Sequence, residues 1–147
     1  MKVEYAILSL VVLILVSVFV YIQNYALQKT DYRITFKKLP NGFDGYKILH
    51  LTDIHRKSFG VKQKRLIAMV ERENPDLIVV SGDIIYCYNH WYNFGYSYKK
   101  DLSKVIALFD VIAKKYPVYY SAGNHECKSG YYKEVKEALL KSGVIVL

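Results

Sequence analysis

The chain has 147 residues, of which 52% are hydrophobic and 23% charged, and it contains two cysteines. This length accommodates one domain, the composition excludes a disordered or collagen-like chain, and two cysteines outside any Cys-x-x-Cys pattern exclude a disulfide framework. The formal net charge is +8, which favours anionic partners such as phosphate esters, anionic lipid headgroups or nucleic acid.

An uncharged apolar run, Ala6–Ile22, lies near the N-terminus. With its flanking residues it is long enough to cross a hydrocarbon core, which needs about 20 residues. Tyr5, Tyr21 and Tyr25 stand where interfacial aromatic residues are expected. We therefore predict a single-pass membrane anchor over residues 1–28. A cleaved signal peptide is the alternative, although no Ala-x-Ala-like cleavage site follows the run.

The orientation of this anchor is left open by the charges on its two sides. Lys29, Arg33, Lys37 and Lys38 follow the apolar run, and the positive-inside rule would then leave the following domain in the cytoplasm. A short tail before a large domain is also the usual layout of an anchored domain that has been translocated. The sequence thus predicts membrane localisation without predicting the side of the membrane.

The remainder, residues 29–147, alternates between strand-like and helix-like patterns. Alternating or continuous apolar runs predict strands at Tyr32–Lys37, Lys47–Thr52, Leu77–Ser81, Val118–Ser121 and Val144–Leu147. Apolar residues at helical spacing predict helices at Lys62–Glu73, Leu102–Tyr116 and Tyr131–Lys141. This alternation is typical of an α/β domain with a parallel sheet, in which Lys47–Thr52 would be a buried strand. Because the chain ends within an apolar strand pattern, we expect it to be the N-terminal part of a longer fold.

Polar residues follow three of these predicted strands, at the point where each strand ends. They lie in the segments Asp53–His55, Gly82-Asp83 and Gly123–Glu126. Ligands of open α/β sheets bind outside the carboxyl ends of the strands, and side chains alternate along an extended segment, which would place Asp53 and His55 on the same side. Carboxylate oxygens and imidazole nitrogens suit Mn, Fe or Zn. The sequence therefore predicts a divalent-metal site at this edge of the sheet.

In this order, the motifs Asp-x-His, Gly-Asp and Gly-Asn-His-Glu resemble those of the calcineurin-like metallophosphoesterase family. The resemblance is closest to membrane-anchored bacterial members, whose first motif is followed by Phe-Gly, here Phe59-Gly60. It covers nearly all of Tyr46–Leu147. It implies the N-terminal part of a layered α/β/β/α sandwich, preceded by one transmembrane helix, and a metal-dependent hydrolysis of phosphate esters.

The resemblance also implies roles for individual residues. Asp53 and His55 correspond to ligands of a first metal ion, and Asn124 to a ligand of a second. Asp83 corresponds to the carboxylate that bridges both ions, which would be Mn, Fe or Zn. His125 corresponds to the residue that stabilises or protonates the leaving oxygen. The substrate is left open, since a phosphomonoester, a phosphodiester and a lipid-linked pyrophosphate would each fit a metal pair.

Two departures from the family pattern stand out. Family members supply further histidines from later Gly-His and Gly-His-x-His motifs, whereas this chain has four histidines, His50, His55, His90 and His125. The alternative is therefore a non-catalytic truncated remnant that binds metal weakly or acts only as a membrane-tethered interaction domain. The second departure is Tyr86, which stands where many relatives carry an acidic residue three positions after Asp83.

Other polar residues have simpler interpretations. The strand alternation points His50 away from Asp53, so we interpret it as a core or packing residue. Glu126 fits the start of a helix or a hydrogen-bond partner of the site better than a metal ligand. His90, Cys87 and Cys127 are interpreted as ordinary loop or packing residues.

An aromatic segment, residues 86–98, follows Asp83 closely and contains five tyrosines together with Trp91 and Phe94. Trp91 and Tyr92 could form a substrate lip that contacts lipid or a lipid-linked phosphate ester, because amphipathic rings are favoured in the headgroup region. Packing of the segment against the domain is an equal alternative. No nucleic-acid partner is expected, since the aromatic residues cluster in one segment and no recognised DNA or RNA module is present.

Overall fold

A computed structural model of the chain describes residues 2–87 and 102–147. These form two compact units, Met1–Ile34 and Thr35–Leu147. The first contains helix α1, Lys2–Tyr25, in which Ser17 and Asn24 donate side-chain hydrogen bonds to backbone carbonyl oxygens four residues earlier. Segment Val3–Tyr25 is long and apolar enough to cross a membrane, a property that signal sequences share.

The second unit is built on a parallel sheet of four strands in the order β1-β2-β3-β4. The strands are β1 Ile48–Leu51, β2 Leu77–Val80, β3 Val118–Tyr120 and β4 Ile145–Val146. Each lies within a segment that the apolar pattern predicted as a strand. The predicted α/β class with parallel pairing is therefore confirmed.

Helices follow the strands along the chain and supply the rest of the core. They are α2 Lys64–Glu73, α3 Ser103–Ile112, the short α4 Asn124–Lys128 and α5 Tyr132–Lys141. Two 3-10 turns, Asn41–Phe43 and Val61–Gln63, precede β1 and α2. The buried apolar faces of the long helices carry Leu66, Val70, Val105, Leu108, Phe109, Ile112, Val135 and Leu139. These faces and the buried side chains of β2 and β3 form one core, on one face of the sheet.

The predicted strand Tyr32–Lys37 is absent, so that prediction is wrong. None of the described strands pairs with this segment, and Tyr32, Ile34 and Phe36 are 83%, 69% and 64% exposed. Alternation of apolar and polar residues produces a strand only where a neighbouring strand accepts the backbone hydrogen bonds and one face is covered.

The first strand is at the sheet edge rather than buried, which corrects a second prediction. Ile48 is 60% exposed, and His50, interpreted as a core or packing residue, is exposed and hydrogen-bonds through Nε2 to Ser81 Oγ at 2.7 Å. In register with His50 lie Val79, Tyr119 and Ile145, all only partly buried or exposed. The described helices cover the face of the sheet opposite to His50. The apolar residues of β1 are therefore not enough to bury this strand.

Candidate metal and catalytic site

The three predicted motifs meet because parallel neighbouring strands end at the same edge of the sheet. The strand pairing of β1 and β2 continues past their ends. Asp53 N donates to Gly82 O at 3.4 Å and His55 N to Asp83 O at 2.9 Å. The Asp-x-His and Gly-Asp segments are thus held side by side by backbone hydrogen bonds.

Four of the predicted site residues lie together. One ligand atom each from His55, Asp83 and His125 lies within 4.8 Å of the others. Asp53 joins this cluster, since its Oδ1 lies 3.3 Å from His55 Nε2. Asn124 is an exposed residue in the first turn of α4, next to His125 in the chain. Two carboxylates and two imidazoles form a donor set that suits a divalent transition-metal ion.

The site residues reach this arrangement through turns and not through an extended segment. Asp53, His55 and Asp83 have positive φ angles of 53°, 48° and 52°. The prediction that alternation along an extended segment aligns Asp53 with His55 is therefore wrong, although the two side chains do meet. A left-handed backbone costs a residue with a Cβ atom about 1–2 kcal/mol, and such conformations cluster at functional sites where surrounding contacts hold them.

Two glycines allow the second and third motifs to touch. Gly82 has a φ of +84°, and a Cβ atom there would overlap the backbone nitrogen of Gly123. A Cβ atom at Gly123 would overlap the Asp83 carboxylate. A side chain at either position would therefore push the two loops apart and displace Asp83 from the cluster.

Glu126 joins these two loops through its carboxylate. It is fully buried, and its Oε2 accepts hydrogen bonds from Asp83 N and Gly123 N, each at 2.8 Å. Its Oε1 accepts from Ile85 N at 3.1 Å. Asp83 in turn accepts a hydrogen bond through Oδ1 from His125 N at 2.9 Å. These contacts confirm the interpretation of Glu126 as a hydrogen-bond partner of the site.

Tyr120 lies close to this buried carboxylate at the end of β3. Its side chain is fully buried, and among the described residues its hydroxyl has no hydrogen-bond partner. Burial raises the pKa of Tyr120 well above its ordinary value, and the negative charge of Glu126 adds to this effect. The hydroxyl therefore stays protonated in the folded chain.

Residues 85–87 also contact the site, and sequence reasoning gave them little weight. Ile85 O lies 3.2 Å from His55 Nδ1, and Cys87 N donates to His125 Nδ1 at 2.8 Å. The Tyr86 ring stacks on His125, with ring centroids 4.9 Å apart. The sequence could indicate Tyr86 through its position three residues after Asp83. It could not indicate the contacts of Ile85 O and Cys87 N, because main-chain atoms are the same in every residue type. The predicted lip residues Trp91 and Tyr92 lie outside the described residues.

The parallel α/β sheet, with aspartate and histidine side chains gathered at three adjacent strand ends, has the fold and the site expected of a metallophosphoesterase. The family model for calcineurin-like phosphoesterases matches residues 46–144. The chain belongs to this family.

Curated relatives agree with this assignment. The chain is 31% identical to the uncharacterized metallophosphoesterase Cj0846 of Campylobacter jejuni over 137 residues, which are 90% of this chain and 32% of that protein. It is 34% identical to the uncharacterized metallophosphoesterase YkuE of Bacillus subtilis over 67 residues, 44% of this chain and 23% of the relative. A zebrafish transmembrane protein with metallophosphoesterase domain is 36% identical over 56 residues, 37% of this chain and 13% of the relative. The chain thus spans about a third or less of these relatives. No solved structure matches.

Proposed function

We propose that the protein is a membrane-anchored phosphoesterase that hydrolyses phosphate esters with two divalent metal ions. The observation that carries the proposal is the convergence of ligand atoms from His55, Asp83 and His125 within 4.8 Å of one another, in a chain of the calcineurin-like phosphoesterase family. A cluster of carboxylate and imidazole groups at the carboxyl ends of strands is the kind of donor set that binds catalytic metal ions.

The proposed ligands divide between two metal ions. Asp53 and His55 would hold the first ion, Asn124 would hold the second, and the Asp83 carboxylate would serve both. When bound, such ions neutralise phosphoryl oxygens and activate water for attack on phosphorus. The negative charge of Asp83 would reduce the repulsion between two cations, and the hydrogen bond that it accepts from His125 N orients the carboxylate.

His125 is proposed to act on the leaving oxygen, by donating a hydrogen bond or a proton. Its ring lies beside the cluster and its Nδ1 is occupied by the hydrogen bond from Cys87 N. The other ring nitrogen, Nε2, is then the atom that faces the substrate.

The membrane and the substrate are linked in this proposal. Helix α1 anchors the chain, and the net charge of +8 raises the local concentration of anionic esters at an anionic lipid surface. A lipid-linked phosphate ester is the substrate that such an arrangement would favour. Water-soluble phosphomonoesters and phosphodiesters are the alternative substrates.

The test is manganese-dependent hydrolysis of chromogenic phosphomonoesters and phosphodiesters by the full chain in detergent. Asp83→Asn keeps the size of the side chain and removes its charge, so we expect hydrolysis to fall by more than about a hundredfold. Asp44→Asn, which makes the same change at an exposed residue, is the matched control and should leave the rate unchanged. Equal rates for wild type and Asp83→Asn would contradict the proposal.

The alternative is a non-catalytic protein that binds metal or acts as a membrane-tethered interaction domain. Calorimetric titration with Mn²⁺ separates the two possibilities. Binding that depends on Asp83, without hydrolysis of either class of ester, would support the alternative.

A further inference from the structure

A segment just before the sheet, residues 36–46, exposes four large apolar side chains. They are 41–64% exposed, and they are Phe36, Leu39, Phe43 and Tyr46. Scattered apolar residues are ordinary on a protein surface, whereas a group of them within one short segment indicates a contact surface. We call these four residues, together with Lys37 and Lys38, the juxtamembrane patch.

Successive turns hold this segment in a folded form. Leu39 N donates to Phe36 O at 3.3 Å, and Tyr46 N donates to Phe43 O at 3.1 Å. The 3-10 turn Asn41–Phe43 lies between these two hydrogen bonds. The rings of Phe43 and Tyr46 pack against each other, with centroids 5.4 Å apart. These two rings therefore form one exposed aromatic surface.

The end of the segment is fixed to the domain through Lys47. Lys47 N donates to Asp76 Oδ2 at 2.8 Å, and Lys47 O accepts a hydrogen bond from Asp76 N at 2.9 Å. Lys47 Nζ donates to Glu73 O at 3.2 Å. A surface that binds the aromatic pair would therefore also hold the start of β1 and the connection between α2 and β2.

Basic residues accompany the exposed apolar ones. Residues 28–47 contain five lysines or arginines and two aspartates, and Lys29 pairs with Asp31 at 3.0 Å. Lys37 and Lys38 are exposed, and within the described residues neither has an ion-pair partner. Amphipathic rings beside unpaired ammonium groups complement anionic headgroups that overlie apolar acyl chains.

The membrane is the surface that the connectivity of the chain keeps within reach. Ten residues, 26–35, separate α1 from Phe36. A residue spans at most about 3.6 Å, so Phe36 stays within about 40 Å of the end of an inserted α1. Binding over so short a linker is intramolecular, and a patch of modest affinity is therefore sufficient.

We propose that the juxtamembrane patch docks on the anionic surface of the membrane that α1 enters. The rings of Phe43 and Tyr46 lie at the level of the headgroups, and Lys37 and Lys38 lie against lipid phosphates. This second membrane contact holds the domain against the bilayer, which the linker alone does not do. The inference rests on the membrane anchor of the proposed function, but not on hydrolysis.

Quenching of tryptophan fluorescence by brominated lipids, measured on the full chain in vesicles, tests the docking. Phe43→Trp in a Trp91→Phe background places the single tryptophan in the patch. The vesicles contain equal parts of phosphatidylglycerol and phosphatidylcholine, brominated near the headgroup end of the acyl chains. We expect quenching for Phe43→Trp and for a second reporter, Tyr46→Trp. Leu140→Trp, at an exposed position of α5, is the matched control and should stay unquenched.

Lipid charge and salt test the role of the two lysines. Quenching should decrease in vesicles of phosphatidylcholine alone. It should also decrease between about 0.1 M and 1 M NaCl, because the screening length shortens from about 10 Å to 3 Å. The pair Lys37→Gln and Lys38→Gln should weaken docking about twentyfold, since each basic residue near an anionic surface contributes about fivefold. The pair Lys133→Gln and Lys136→Gln, exposed in α5, is the control and should change nothing.

The possible outcomes separate docking from anchoring and from hydrolysis. Unquenched emission from both reporters would overturn the proposal, and blue-shifted but unquenched emission would show that protein covers the rings instead. Quenching that neither salt nor lipid charge changes would refute the role of the lysines. A chain that did not float with the vesicles would refute the anchor and the docking with it. Docking of a chain that hydrolyses nothing would sustain this inference while the proposed function failed.

Discussion

Replacement of Glu126 by glutamine is a sharp test of how the site is held together. A glutamine can place its carbonyl oxygen where Oε2 accepts from Asp83 N and Gly123 N. Its NH₂ group then faces the buried N–H of Ile85, which loses its acceptor. A buried donor without a partner costs about 1–3 kcal/mol.

This cost predicts two measurable effects. A loss of about 2 kcal/mol corresponds to a fall in Tm of roughly 8 °C for a domain of this size. Because the same carboxylate orients the backbone of Asp83 and Gly123, we also expect the affinity for Mn²⁺ to fall about tenfold, as for other groups that orient metal ligands. Circular dichroism of the metal-free chain measures the first effect, and calorimetric titration measures the second.

Glu137→Gln is the matched control, because it makes the same charge change at an exposed position of α5. It should change neither quantity. If Glu126→Gln melted with the wild type, the hydrogen bonds assigned to the carboxylate would be wrong. If it lowered Tm but bound Mn²⁺ normally, Glu126 would stabilise the fold without positioning the site.

Three further predictions concern stability and lipid contact. Lys62 is exposed at a φ of 50°, so Lys62→Gly should raise the free energy of urea unfolding by about 1 kcal/mol. A glycine at Ala68, which is exposed in the middle of α2, should lower it by about 1 kcal/mol, and equal effects would refute the reasoning. Burial raises the pKa of the Tyr120 hydroxyl in the folded chain. As the pH rises above about 10, this hydroxyl therefore loses its proton in the unfolded chain but keeps it in the folded chain. Above this pH the free energy of unfolding should fall faster for wild type than for Tyr120→Phe. Parallel pH profiles of the two free energies would contradict this. Trp91 is the single tryptophan, so brominated lipids should quench the fluorescence of the reconstituted chain if the predicted lip contacts lipid, and unquenched emission would exclude that contact.

The parts of the fold that could be predicted are those determined by repeating physical patterns. Apolar runs predicted the four strands, because helices on one face of the sheet bury apolar side chains of the strands. The meeting of Asp53 with Asp83 followed from the same reasoning, since parallel strands end at one edge of a sheet. The segment Tyr32–Lys37 failed because alternation does not specify a partner strand.

The details of the site depend on contacts that residue types do not encode. The turn at Asp53–His55 has positive φ angles at non-glycine residues, which nothing in the local composition indicates. Ile85 O and Cys87 N act through the main chain, so any residue other than proline at position 87 could provide the same N–H. The exposure of His50 reflects its place on the edge strand, which is a property of the whole sheet.

The left-handed backbone at Asp53, His55 and Asp83 has a consequence for how metal ions enter and leave. These conformations are held by backbone hydrogen bonds to Gly82, Asp83 and Ile84 and by the Glu126 carboxylate, none of which involves a metal ion. The entropy of ordering the backbone that carries the donors is therefore lost when the chain folds and not when a cation binds. Binding should then be a fast exchange at a rigid site, with little change in heat capacity, and chelators should strip the ions without melting the domain.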